Sequence, residues 1–497
     1  MIGWVADLFR LAWGLLYWNA RKTWFRLRRG QSPCPCQSLS DSGRPFETQC
    51  EACLSWNRRA RFKRVCPLLV DTTEGLRCSV ATADVRPFWG ITARYYGAAA
   101  LTVYVLVVVS VFAFLRTVGY PVSIVHVAVP PLWHRVGEAR GWYFLDRSNR
   151  AFAAGKTTEG LLYLDNAYQF DPSNYSAGLR LAKYYQAGQP GLSDDVYKEL
   201  LRDHPDKTAA TAQDWLRALL ARGDNEKITR LARERLLAGG PHANAWMRAL
   251  LFATRQTRAD TPLRELLTDR RPAAAAWHRL LETELLLRAG RKTEARAALE
   301  ATWAGAPPYA LFYRVDRLIA LREPAAALDV LVRHPNVLDG DAEATLRLEA
   351  YFQAGANNLW QAMMDALLAP RLDPPRLVII CAHLIRHPNA AVFDRICTKL
   401  EREPLALNTE TAGIWFSLLC TAGAVGDRVR LHEFTQKLKT ASSTPFVVLG
   451  MVEAFFRGET VERRVTTFLP ILPLPLEVTY ALLERYGSAP VVVTKNA

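Results

Sequence analysis

The chain has 497 residues, 50% of them hydrophobic and 22% charged, and a formal net charge of +15. Those proportions exclude a wholly disordered chain and one built mainly of transmembrane helices, leaving about two to four domains or one long repeat array. The charge is uneven: residues 1–97 hold 15 Lys and Arg against 7 Asp and Glu, and six of the nine cysteines fall between Cys34 and Cys78.

Residues 1–29 carry a membrane signal. Trp4, Val5, Leu8, Phe9, Leu11, Leu15, Leu16 and Trp24 are apolar, while Asp7, Arg10, Gly14, Arg21 and Arg28 recur along one narrow helical stripe. Four tryptophans (Trp4, Trp13, Trp18, Trp24) suit the headgroup layer, and Arg21, Lys22, Arg26, Arg28 and Arg29 close the segment. The pattern predicts a helix lying in the inner-leaflet surface, held by apolar burial and anionic lipid. A short span is the competing arrangement, and Asp7 and Arg10 interrupt it.

Residues 30–93 form a basic, cysteine-rich module. Its cysteines are spaced Cys34-x-Cys36, Cys50-x-x-Cys53, Cys66 and Cys78, with no histidine before His126. A Cys-x-x-Cys turn presents two thiolates to one metal, and a closed tetrahedral zinc site takes four ligands. The expected use is a structural zinc on Cys50, Cys53, Cys66 and Cys78, with Cys34 and Cys36 as the alternative ligands. Such a metal would fold a segment too small to build its own core. Unpaired thiols in a loop, disulfides and an iron–sulfur centre are the competing uses of these six residues.

Residues 94–118 read as a transmembrane helix: no formal charge occurs from Tyr95 to Leu115. A helix needs about 20 such residues to cross the hydrocarbon core. Arg58, Arg59, Arg61, Lys63, Arg64, Arg77, Arg86 and Arg94 precede the span, whereas after Arg116 the next basic residue is Arg135. The positive-inside rule therefore places the N-terminal part in the cytoplasm and the rest outside it, periplasmic in a bacterial-type inner membrane. Residues 119–140, with Pro121, Pro130 and Pro131, read as an extended connector.

From 141 to 487 the sequence becomes helical, rich in Ala, Leu and Arg, and regularly punctuated; residues 488–497 form a tail. Glycine turn signals stand at Gly155, Gly188, Gly223, Gly290, Gly355, Gly426 and Gly458. Three of the intervals are close to double the others, and weaker breaks near Thr257–Asp260, Arg322–Pro324 and His387–Asn389 fill the gaps. The result is about ten units of roughly 33–35 residues.

The unit at Gly155 continues with Gly160, Leu164, Ala167 and Pro172; the unit at Gly290 with Ala295, Leu299 and Pro307; the unit at Gly188 with Ser193, Tyr197 and Pro205. This order of turn glycine, small residue, large apolar residue and proline resembles the tetratricopeptide repeat family. Arg463 after Gly458, and Ile228 after Gly223, depart from it at the small position. The resemblance implies an all-α, right-handed superhelical solenoid of helical hairpins whose concave groove binds proteins and supplies no chemistry of its own.

The phosphate-binding loop, the nucleophile elbow, His-Glu-x-x-His and the dinucleotide fingerprint are all absent from the sequence. Cys381, His383, His387 and Cys397 come nearest to a constellation, but Cys381 ends an apolar run and His387 precedes Pro388 at a helix end. Asp194 and Asp195 read as a helix start on a solvated face, and the arginines of 215–300 as exposed faces with partners such as Glu282 for Arg288. Phe468 to Leu476 is wholly apolar or proline and reads as a cap on the last hairpin, with a docking patch as the alternative. The expected protein is thus no enzyme. It is a membrane-anchored scaffold whose partners are the bilayer and other proteins, with neither nucleic acid nor a small-molecule substrate. Its alternative is a cytoplasmic repeat protein that regulates a membrane enzyme or transporter.

Overall fold

The computed structural model describes residues 2–28, 69–72, 75–78, 89–93, 97–240, 242–369, 371–441, 447–459 and 464–487. Among these the chain divides into two compact units, Met1–Ala139 and Arg140–Ala497. Apart from one two-stranded hairpin, every regular element described is helical.

The first unit opens with α1 (Ile2–Leu27). Trp13, Leu16, Tyr17, Trp24 and Leu27 are exposed on it, and the Arg28 guanidinium lies 4.6 Å over the Trp24 ring. Lys22 is 1% exposed, so this one of the terminal basic residues is not free for headgroups. Strands β1 (Leu69–Thr72) and β2 (Gly75–Cys78) pair antiparallel, with Leu69 opposite Cys78. Next come the short α2 (Trp89–Thr92) and α3 (Ala98–Val118). Trp89 Nε1–H donates to Thr23 Oγ1 at 3.1 Å, which ties the end of α1 to α2. Among the described residues α3 is the one helix long and apolar enough to cross a membrane.

The segment expected as an extended connector is not extended. Gly119, at φ 100°, ends α3 in the left-handed conformation that costs glycine least. The chain then forms α4 (Ile124–Ala128), a 3-10 turn at Pro130–Leu132 and the start of α5 (His134–Ala153). The Ser123 hydroxyl caps α4, a hydrogen bond that proline counting does not anticipate.

In the second unit the helices pair off. α5 pairs with α6 (Thr157–Phe170), α7 (Tyr175–Gly188) with α8 (Pro190–Asp203), and α9 (Thr208–Arg222) with α10 (Asn225–Ala238). α11 (Ala243–Thr257) pairs with α12 (Thr261–Thr268); after the short α13 (Pro272–Ala275), α14 (His278–Arg288) pairs with α15 (Lys292–Glu300). The series continues with α16 (Pro308–Ala320) and α17 (Pro324–Arg333), α18 (Gly340–Gln353) and α19 (Asn357–Leu368), α20 (Pro374–Arg386) and α21 (Ala390–Arg402), and α22 (Ala412–Val425) and α23 (Arg428–Ala441). α24 (Val447–Arg457) has no such partner; α25 (Leu476–Tyr486) follows later. From α16 onward each first helix also packs on its counterpart in the next pair, as α18 does on α16 and α20. One connected apolar core therefore runs from Leu164 to Leu483.

The punctuation seen in the sequence has a backbone cause. Gly155, Gly223, Gly290, Gly355, Gly426 and Gly458 all have positive φ, at the turns that follow first helices. Where the glycine is missing, Arg258 and Arg322 adopt the same conformation, with φ of 53° and 64°. That is why the glycine interval doubles there. A side chain in this conformation costs roughly 1–2 kcal/mol. Arg322→Gly is therefore expected to raise the unfolding free energy measured by denaturant titration by up to about 1 kcal/mol, since glycine's unfolded-state entropy offsets part of the relief. The small positions are also explained: a Cβ on Gly160 would sit 2.9 Å from the Phe152 ring, and Ala295 and Ser193 are fully buried.

Candidate functional site

The inward sides of several first helices are covered by this chain's own C-terminal segment. Among the described residues no further hairpin follows α24. Residues 464–475 make 3-10 turns at Val465–Thr467 and Leu469–Ile471 and an extended stretch through prolines, since proline cannot continue a helix interior. Then α25 begins at Leu476.

This segment reaches both early and late pairs. The Leu469–Ile471 turn packs on α7 and α9, and Gln186 Nε2–H donates to the Pro470 carbonyl at 2.5 Å. A Cβ on Gly413, in the first turn of α22, would lie 2.7 Å from the Pro473 carbonyl oxygen. α25 packs on α20 and α9, and its Tyr480 ring meets Phe252 edge-on at 4.9 Å. Polar contacts fix the register: Arg248 donates two bonds to Glu477 at 2.5 and 2.6 Å, Arg386 Nε donates to Glu484 at 2.7 Å, and Arg485 Nη1 donates to the Ile385 carbonyl at 2.6 Å. The apolar run Phe468 to Leu476 is therefore more than a cap on the last hairpin.

Magnitude decides whether the segment can leave. Val465, Phe468, Val478 and Leu482 are fully buried, and Leu469, Tyr480 and Leu483 nearly so. At about 1.5–3 kcal/mol for each large apolar side chain, their burial amounts to on the order of 10–20 kcal/mol as an upper bound. That is comparable to the whole stability of a typical domain. The segment is a permanent part of the fold and not a displaceable lid.

Beside the start of α25 the inner face stays open. A cavity of about 740 Å³ is lined by Tyr309, Phe312, Leu338, Asp341, Val378 and Glu477, among others. Its size lies in the range of ligand-binding clefts, about 300–1,000 Å³. Arg248 forms one wall, with its guanidinium 4.4 Å over the Tyr480 ring.

A second cluster joins Glu349 of α18 to His383 and His387 of α20. His383 Nδ1 lies 2.9 Å from Glu349 Oε1 and His387 Nε2 lies 2.7 Å from Oε2. Trp360 Nε1–H donates to His383 Nε2 at 3.0 Å, so the His383 proton belongs on Nδ1, where it is given to Glu349. A metal on Nδ1 would need the lone pair this proton occupies, and Arg386 stands 3.8 Å from the same carboxylate. The donor set is closed by hydrogen bonds and a cation, so it argues against a metal. Burial pushes the Glu349 carboxyl upward, and the bonds from His383 and His387 more than reverse this, leaving it well below the usual range. Cys381 and Cys397 are buried, and burial pushes both thiols up to about 12.

Two further buried carboxylates were missed in the sequence. Asp194, expected on a solvated face, is 2% exposed and accepts from Lys227, Trp215 and Arg222. Burial raises its carboxyl and those hydrogen bonds lower it further, for a net depression. Glu284 is also 2% exposed, with two bonds from Arg255 at 2.8 and 2.7 Å, one from Arg288 at 3.1 Å and one from the Tyr313 hydroxyl at 3.0 Å. Burial raises it, and Arg255 above all brings it down to about 2. Arg288 thus finds Glu284 and Asp260, not Glu282. The signal was spacing across a repeat: 29 positions separate Arg255 and Glu284, which local helix pairing rules do not scan.

Of the expected zinc ligands, Cys50, Cys53 and Cys66, with Cys34 and Cys36, lie outside the described residues. Cys78 ends strand β2. No protein-family model matches this chain, and neither does any curated protein sequence or any solved structure.

Proposed function

We propose that this protein is a membrane-anchored scaffold of tetratricopeptide type, a right-handed superhelix of hairpins that holds other polypeptides against its inner face and catalyses nothing. The observation that carries this reading is the chain's own C-terminal segment. It shows these inner faces accepting a proline-rich strand and a helix through apolar contact, Arg–carboxylate pairs and backbone-directed donors. The open cavity beside Arg248 leaves room for a further segment. Envelope assembly, secretion and polysaccharide export are the settings in which such an anchored groove raises the effective concentration of a partner.

A photoreactive phenylalanine analogue at Val337, which lines the cavity and is 42% exposed, tests it. In native membranes it is expected to give a discrete protein adduct, whereas the same group at Val429, exposed on the partner helix α23, gives none. Equal labelling at both positions, or none at Val337, counts against a protein-binding groove.

The cysteine-rich segment belongs to the same reading as a zinc-stabilised module. Purified full-length chain is expected to carry about one equivalent of zinc. Cys50→Ser should remove it, and His387→Ala should leave it unchanged. Less than half an equivalent, indifferent to Cys50→Ser, removes the metal from the proposal.

The flanking charge assigns the N-terminal part to the cytoplasm, and one crossing by α3 would set the repeats on the extracytoplasmic side of an inner membrane. The second reading keeps the repeats in the cytoplasm, regulating a membrane enzyme or transporter. One observation favours it: the path of the chain immediately after α3.

A further inference from the structure

Beyond Gly119 the chain turns back along α3. The stripe Tyr104, Val108, Phe112, Leu115 on α3 is the side that α4 covers: Val108 is 7% exposed, Phe112 and Leu115 are half-buried, and most of the remaining helix is bare. At the lower end of this stripe the Tyr104 hydroxyl donates to the Ala128 carbonyl. The 21 residues of α3 rise about 31 Å, the thickness of a hydrocarbon core. Tyr104 lies 14 residues before Val118, or about 21 Å back along the axis. By Ala128 the chain has thus retraced roughly two-thirds of the span. Lipid that surrounds α3 must surround this segment too.

The segment is suited to it. No Lys, Arg, Asp or Glu occurs between Arg116 and Arg135, and Ile124, Val125, Val129 and Trp133 turn apolar side chains outward. In lipid the backbone must satisfy its own polar groups. The N–H groups of Gly119, Tyr120, Val122, His126, Val129, Leu132 and Trp133 all bond to carbonyls between Leu115 and Pro130. The Ser123 hydroxyl accepts from Val125 N–H, Trp133 Nε1–H donates to the Val127 carbonyl, and Pro121, Pro130 and Pro131 have no N–H to satisfy. His126 Nδ1, buried without a partner, is a cost the arrangement carries.

The direction of exit follows from charge. Arg135 and Glu138, an ion pair at 3.3 Å, come just after Trp133. From the level of Tyr104 the near face of the bilayer, at Ala98, is about 9 Å away, and the far face about 21 Å. Returning to the far face would draw Arg135, Glu138 and Arg140 through hydrocarbon, where charged side chains are rare and costly. We propose that α3 and residues 120–133 form one re-entrant hairpin in the bilayer, so that the chain leaves lipid on the side from which it entered. Arg94 and Arg135 then share the cytoplasmic side and Arg116 alone marks the other, which agrees better with the positive-inside rule than a single crossing does.

The proposal rests on α3 being a membrane element, and the test separates the two. Full-length chain is fused after Ala497 to alkaline phosphatase or to a green fluorescent protein, and the membranes are washed with alkaline carbonate. Before that wash, on intact cells with a membrane-permeant chelator present, a membrane-impermeant maleimide reports the side of the N-terminal cysteines, because Cys381, Cys397 and Cys420 are buried. The expected result is a carbonate-resistant chain, fluorescence without phosphatase activity above the unfused host, and maleimide labelling only after the bilayer is opened. Retention in the membrane with the two ends on opposite sides overturns the hairpin and leaves the anchor standing. Release by carbonate overturns the anchor and the hairpin with it.

Discussion

A chain ending at residue 459 is expected to be recovered unfolded or aggregated, although every paired helix is still encoded in it. The loss exposes the inward faces of α7, α9, α11 and α20 together and strands Arg248 and Arg386 without Glu477 and Glu484. A graded version is measurable: Leu482→Ala removes a fully buried side chain and should cost about 2–5 kcal/mol in urea unfolding. Ile471→Ala, at a position 39% exposed on the same segment, should cost under about 1 kcal/mol. Near-equal losses for the two would mean that the segment is not anchored through α25.

Glu284→Ala is expected to be nearly as damaging, at about 3–5 kcal/mol, because it leaves Arg255 and Arg288 facing one another with no carboxylate between them. The same group predicts acid sensitivity. Its carboxyl is held at about 2, below the ordinary value of 4.5, so its contribution is complete above 4.5 and is lost as pH falls through that window towards 2. The shift corresponds to on the order of 3 kcal/mol. Asp194 and Glu349 are depressed too and act in the same direction. Unfolding free energy measured from pH 6 down to 3 should decline, and the decline should be shallower in Glu284→Gln. An identical slope in the two proteins would remove Glu284 from the account.

The helical nature of the second unit was legible because its turns are marked by glycines that the backbone needs. Gly155, Gly290 and Gly355 are at positive φ, and the small residues after the first two pack where the sequence pattern set them. At Arg258 and Arg322 the turns showed only as weaker breaks, since nothing in an arginine announces a left-handed conformation. Long-range partners were not legible. Gln186 bonds to Pro470 and Arg248 to Glu477 across 284 and 229 positions, and no periodicity relates such residues. The proline run at 470–475 reads as a cap on the last hairpin, and nothing in it says where the chain goes next. The same holds for residues 119–133: prolines read as an extended linker, whereas the Tyr104 hydroxyl and the Ser123 cap hold a folded return. For the candidate cavity, no motif or spacing in the sequence marks Tyr309, Phe312 or Val378. Only the superposition of successive inner faces brings them to one opening.

Repeat arrays with only neighbour contacts can melt from their ends and fold as they are synthesised. Here residues 469–486 touch helices near the start of the second unit, so the two ends of the array are not independent. Unfolding should therefore be a single steep event, and stable folding of the earliest helices should wait until residue 486 has emerged from the ribosome. At about 5–20 residues per second, the interval between completing α7 and completing α25 is on the order of 15–60 s. During that time the inner face is bare and open to chaperones.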